Sequence, residues 1–216
     1  MRHFKHELVF RDFTSNLQQS RRLVFAARQW TALPIGSIRP RFTILHRNLL
    51  IEMAFLRCFL AWERFLEESF ILYLLGKKPL RRRHPPRCRV SPSSWSNAFQ
   101  MMLPEVGPQF VDWVNLQRVR ARASRFFVNG EPFETALTAR YYLFGEMQIL
   151  RNAIAHRSQS SQNRFHSLVQ SKLSSVPPNI TAGTFLETAI AGSHPPQTYL
   201  DQYLDGLLAS AMTIVP

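Results

Sequence analysis

Residues 41 to 75 hold neither proline nor glycine, and their apolar positions recur at the spacing of an α-helix. Leu49, Met53, Leu56, Leu60, Phe65 and Leu66 form a stripe suited to the core of a helical bundle. Gly76 is the expected stop, since glycine closes helices in a left-handed conformation. The run is long enough to raise the question of a membrane span. Arg57, Glu63, Arg64, Glu67 and Glu68 answer it, because hydrocarbon does not accept that density of charge cheaply. The segment reads as a buried helix of a protein outside the membrane.

The rest of the chain is organised around it as helices separated by proline-rich breaks. A first helix is expected over about 4 to 30, with Leu8, Phe13, Leu17, Leu23 and Phe25 among its apolar positions. "TALPIGSIRPRF" ends it, because proline removes a donor from the helical ladder. Residues 76 to 94, "GKKPLRRRHPPRCRVSPSS", carry seven basic residues and four prolines and read as a loop. A weaker helix is expected near 94 to 103, then an amphipathic stretch from "PQFVDWVNLQ" to about Phe127. "VNGEP" turns the chain into a helix running from about Pro132 through Leu150. A short helix near 162 to 173, the break "SSVPPNITAG" and a last helix from a Thr198 cap to about Met212 complete the chain. No repeat or strand pattern is visible. The expectation is a single all-α domain over 1 to 216, an up-and-down bundle with long central helices.

The 45% apolar fraction is that of a globular chain, and its formal net charge is +13. Such an excess draws polyanions, so nucleic acid heads the partners, with an anionic surface or plain solubility as alternatives. Arg81, Arg82 and Arg83 in the basic loop, and Arg118, Arg122 and Arg125 on one helical face, are the candidate RNA contacts. Cys58 and Cys88 are too few and too separate for a disulfide framework, which favours a reducing compartment, and no metal is expected at His84 and Cys88. The first residues, "MRHFKHELVFRDF", have no continuous apolar core, so no secretory signal is expected and the cytoplasm is the expected location.

"EMQILRNAIAHRSQSS", residues 146 to 161, places Arg151, Asn152 and His156 among apolar residues at the end of a helical pattern. On a straight helix Arg151 and His156 stand roughly 140° apart. Bringing them together needs a helix that ends inside the motif, or a second copy of the chain. The residue types suit phosphate chemistry. Arginine offers a permanently charged planar fork, histidine moves protons near neutrality, and asparagine can orient either. With RNA the nucleophile can be the substrate's own 2′-hydroxyl, leaving base, acid and charge stabilisation to the protein. The plainer account makes Arg151 a cation complementing a helix C-terminus and His156 its exposed neighbour. Residue types alone favour that account.

"ILRNAIAHRS" resembles the R-x4-6-H motif of the HEPN superfamily (higher eukaryotes and prokaryotes nucleotide-binding). "FLRCFLAWERFLEESF" resembles the tryptophan-glutamate helix of its RiboL-PSP-type members, and "TAGTFLETAI" with "TYLDQYLDGLL" their C-terminal part. The resemblance spans about 45 to 75 and 140 to 210. It implies a helical bundle, a homodimer pairing two motifs, and metal-independent RNA cleavage without a cofactor. Arg151, Asn152 and His156 correspond to the motif, and Glu63 to the acidic residue of the earlier helix. A toxin or defence role implies an antitoxin or controlling protein; a non-catalytic RNA- or protein-binding module is the alternative. Trp62 is read as core.

Overall fold

The computed structural model describes residues 5–32, 42–81, 84–104, 110–156 and 158–216. Among these the protein is an all-α helical bundle, with helices and no named strand. In chain order they are α1 His6–Ala32, α2 Ile44–Leu74, α3 Trp95–Met102, α4 Leu116–Phe126, α5 Phe133–Thr138, α6 Tyr141–His156, α7 Gln159–Leu173, α8 Ala182–Glu187 and α9 Tyr199–Ile214. The chain divides into two compact units. Unit 1 comprises Met1–Thr14, Ala61–Phe144 and Gly206–Pro216; unit 2 comprises Ser15–Leu60 and Gly145–Asp205. Among the described residues, no helix is long and apolar enough to cross a membrane.

Local chemistry sets most of the ends. α2 stops at Gly76, which has φ +70°. Its N–H donates to the Tyr73 carbonyl and that of Lys77 to the Leu72 carbonyl, both at 2.9 Å, the paired bonds of a Schellman turn. α9 starts on a reciprocal cap. Asp201 N–H donates to Thr198 Oγ1 and Thr198 N–H to Asp201 Oδ2, both at 3.2 Å. α4 begins later than its amphipathic pattern suggests. Asp112 Oδ1 accepts from Val114 N and Asn115 N at 2.9 and 3.0 Å, a turn that competes with helix, and Asn115 then caps α4.

Three expectations need correction. The helix expected from Pro132 through Leu150 is two helices, α5 and α6. Ala139 at the break keeps right-handed angles (φ −56°, ψ −23°), so no residue type announces it. α8 begins inside the stretch "SSVPPNITAG", read as a break, and continues past it where no helix was expected. Its threonine and glycine are a cap and a close approach: Thr181 Oγ1 accepts from Thr184 N, and a Cβ at Gly183 would sit 2.4 Å from the Asn48 carbonyl oxygen. The third concerns α2. Phe65 and Leu66 are buried, but Leu49, Met53 and Leu60 are 49%, 52% and 58% exposed. The buried face of that half is Ile51, Ala54, Phe55, Cys58 and Phe59.

Each unit has its own aromatic core. In unit 1, Phe70 packs on Phe127 and Phe133 at ring separations of 4.7 and 5.0 Å, with Trp113 at 5.5 Å. Trp62 is buried there as expected, stacked on Phe65 and Phe144. In unit 2, Phe185 stacks on Tyr199 at 4.5 Å and Phe55 meets Tyr203 edge-on. Tyr203 donates its hydroxyl to Glu146 Oε2 at 3.0 Å, and Lys172 pairs with Glu146 Oε1 at 2.6 Å. Burial drives the Tyr203 phenol far above its ordinary range. These bonds fix α6 from both sides in unit 2.

Candidate functional site

The motif closes within one chain. Arg151 Nη1 lies 2.8 Å from His156 Nε2 and 3.3 Å from Asn152 Oδ1. His156 is the last residue of α6, and the long arginine side chain reaches its ring. α6 runs through His156, so the helix does not end inside the motif; the reach of the two long side chains spans the roughly 140° divergence instead. Arg151 and Asn152 are half-buried and His156 is exposed, leaving the ring accessible to solvent. A guanidinium has only donors, so the bond requires Nε2 to accept and places the ring proton on Nδ1.

The end of α6 is held by groups outside the motif. The last carbonyls of a helix lack partners within it. Gln162 of α7 donates its Nε2–H to the Ala153 carbonyl at 3.1 Å, closing one of them. Ser158 caps α7 by accepting from Ser161 N–H, and its hydroxyl also contacts those of Ser160 and Ser161. Gln162 was missed in sequence; a glutamine nine residues after a buried alanine carries no periodic signal. Leu150 and Ala153 are buried, and Ile149 and Ile154 half-buried. The apolar residues of the motif are therefore largely consumed by the chain's own core.

The other site expectations spread over unit 1. Glu63 is half-buried there, whereas the motif residues belong to unit 2. Its neighbour in register, Glu67, accepts from Trp113 Nε1 at 2.9 Å, so this acidic face is not merely solvated. In the basic loop Arg81 is exposed, and its N–H donates to the Pro216 carbonyl at 2.7 Å. Arg82 and Arg83 lie outside the described residues.

Arg118, Arg122 and Arg125 all line one open groove. Arg118 pairs with Asp112 Oδ2 at 3.0 Å. Arg122 donates to the Asp112 carbonyl at 3.2 Å and lies 4.7 Å over the Trp113 ring, and burial pulls its guanidinium down to about 10. Both cysteines are free thiols: burial pushes Cys58 up to about 11 and Cys88 also upward, so neither is an activated nucleophile.

No family model matches the sequence, and no curated protein or solved structure matches it.

Proposed function

We propose that the chain is a metal-independent endoribonuclease of the HEPN kind, with Arg151, Asn152 and His156 as its reacting centre. The observation that carries this reading is the 2.8 Å contact between Arg151 Nη1 and His156 Nε2. It sets a phosphate-binding fork beside an unprotonated imidazole nitrogen at an accessible helix end. A phosphate offers the guanidinium two charged acceptors in place of one neutral nitrogen, a stronger charge-assisted pairing. Substrate binding then exchanges the bond: the fork turns to the phosphate and Nε2 is released as a base. Nε2 takes the proton of the 2′-hydroxyl, the 2′-oxygen bonds to phosphorus, and the bond from phosphorus to the 5′-oxygen breaks. The leaving oxygen collects a proton from water. The products are a 2′,3′-cyclic phosphate and a 5′-hydroxyl. Asn152 holds the guanidinium through its Oδ1, which steadies the fork.

A cytoplasmic toxin or defence effector restrained by a controlling protein fits this chemistry. The proposal keeps a homodimer but moves its surface. Since Arg151 and His156 meet in one chain, the second copy is assigned instead to the exposed stripe of Leu45, Leu49, Met53 and Leu60 on α2, one of the exposed apolar surfaces among the described residues. The alternative is a non-catalytic RNA- or protein-binding module, favoured by the same 2.8 Å bond if it merely ties the two side chains to each other. Incubating the purified protein with total RNA and EDTA, then mapping the ends, separates the two. Cyclic-phosphate ends with wild type and none with His156→Ala are expected. RNA bound but intact would establish the binding module instead.

A further inference from the structure

Within unit 2, the outer face of α2 carries Leu49, Met53, Leu56 and Leu60 at spacings of four, three and four, the rhythm of a seam between two helices. Leu49, Met53 and Leu60 are about half exposed, and Leu56 is half-buried. Beyond Leu60 the next two seam positions are Glu63 and Glu67, and Glu67 is committed to Trp113, so the apolar run stops there.

Opposite charges flank the seam. At about 100° per residue, Glu52 and Arg57 stand roughly 70° to either side of its midline. Neutral groups place both. Arg57 Nε donates to Asn16 Oδ1 at 3.2 Å and its Nη2 to Gln19 Oε1, while Glu52 Oε1 accepts the Gly183 N–H at 2.9 Å. Among the described residues no carboxylate pairs with Arg57 and no cation with Glu52. These two charges distinguish the ways a second copy could lie on the seam. If the α2 helices run parallel about a twofold axis along them, opposite flanks meet. Glu52 then faces Arg57 of the partner subunit, five positions on, and symmetry makes the contact twice. If the helices run antiparallel, like flanks meet, so carboxylate faces carboxylate and guanidinium faces guanidinium.

We propose that two copies of this chain pack along the seam in parallel, with Glu52 of each paired to Arg57 of the partner subunit. This goes beyond the placement of a second copy on α2 by fixing its direction and its charge pairs. It rests on that placement and not on RNA cleavage. Disulfide trapping reads the direction. The background is Cys88→Ser, in which the remaining Cys58 is buried. In a parallel pair, Leu60→Cys brings its two thiols together at the axis, within the Cα separation of about 4.4–6.8 Å that a disulfide spans. Antiparallel packing would set residue 60 against residue 49 of the partner subunit and leave the two copies of residue 60 roughly 16 Å apart. Oxidised Leu60→Cys and Leu49→Cys should therefore each run as a covalent dimer on a non-reducing gel. A covalent dimer only from a mixture of the two would overturn the parallel direction. No covalent dimer from either variant or from their mixture would overturn the seam itself, whether wild type sediments as monomer or dimer. Arg57→Glu should weaken the dimer roughly tenfold in sedimentation equilibrium, and adding Glu52→Arg should restore it. Unchanged circular dichroism checks that both fold. A double variant no tighter than the single one would overturn the charge pairs. RNA cleavage by a protein that fails these tests would leave the ribonuclease reading standing; a parallel dimer that cleaves nothing would leave the pairing standing.

Discussion

The guanidinium of Arg151 and the ring of His156 illustrate what one residue type can do that its nearest substitute cannot. Lysine at 151 would keep the charge, but a single ammonium lacks the planar fork that meets two phosphate oxygens at once. Losing one charge-assisted bond costs about 1.5–3 kcal/mol, so Arg151→Lys should cut cleavage by roughly ten- to a hundredfold. His156→Ala should cost about 10²–10⁴-fold, the usual worth of a positioned acid or base. Single-turnover RNA cleavage measures both, and wild-type rates in folded His156→Ala protein would remove the histidine from the chemistry. His6 is a different kind of histidine. It is buried against Tyr73 at a ring separation of 4.2 Å, and burial pushes it down from 6.5 to about 4, against a weaker pull from the Lys77 backbone. The folded chain keeps this ring neutral where the unfolded chain would protonate it. Stability is therefore unaffected above about pH 6.5 and falls as pH drops from there toward 4, by about 2 kcal/mol at pH 5. Urea unfolding at pH 7.5 and pH 5 should show that loss in wild type, and His6→Phe should reduce it. An identical pH dependence in the variant would show that another group governs acid sensitivity. The motif singled out His156, but nothing in residue type separates the two rings' environments: only burial distinguishes the core ring of His6 from the accessible one of His156.

At the scale of elements, caps were readable and faces were not. Gly76 and Thr198 end and begin their helices as expected because their chemistry is local, contained in a few neighbouring residues. α8 escaped because Gly183 looks like a breaker until Asn48, far away in sequence, is seen to forbid a side chain there. α2 shows the same limit. Periodicity identified the helix, yet it offers two apolar arcs over residues 45 to 60, and only tertiary packing selects Ile51, Phe55 and Phe59 for burial. The rejected arc has a consequence. Leu49, Met53, Leu56 and Leu60 follow one another at spacings of four, three and four, the rhythm by which helices pack along a shared seam. Leu49→Glu combined with Met53→Glu changes two side chains that are about half exposed and outside the buried face, so monomer stability should move by only about 0.5 kcal/mol for each site. If a second copy covers the seam, the same pair should convert a sedimenting dimer to monomer. Wild type that sediments as a monomer at micromolar concentration would refute the dimer and leave the motif's own closure untouched.

For the whole molecule the governing quantity is charge. An excess of +13 makes weak attraction to any polyanion unavoidable, so affinity alone says little about specific function. The informative measurement is how affinity changes with salt, because each phosphate neutralised by a lysine or arginine releases condensed counterions. A diffuse cloud of charge and a defined track behave differently under substitution. If Arg81, Arg82 and Arg83 each meet a phosphate, replacing all three by glutamine should lower the slope of log affinity against log salt by about 2 on single-stranded RNA. If they contribute only to the overall field, affinity should fall slightly and the slope should stay near its wild-type value. Arg81 is placed for the first outcome, exposed at the side chain and tied at the backbone to the Pro216 carbonyl, so its stem starts from a fixed point. Filter binding of a labelled single-stranded RNA by His156→Ala protein, across a salt series, measures the slope without interference from cleavage. A slope unchanged by the triple substitution would mean that the loop keeps the protein soluble or meets another protein, and that the strand is held elsewhere.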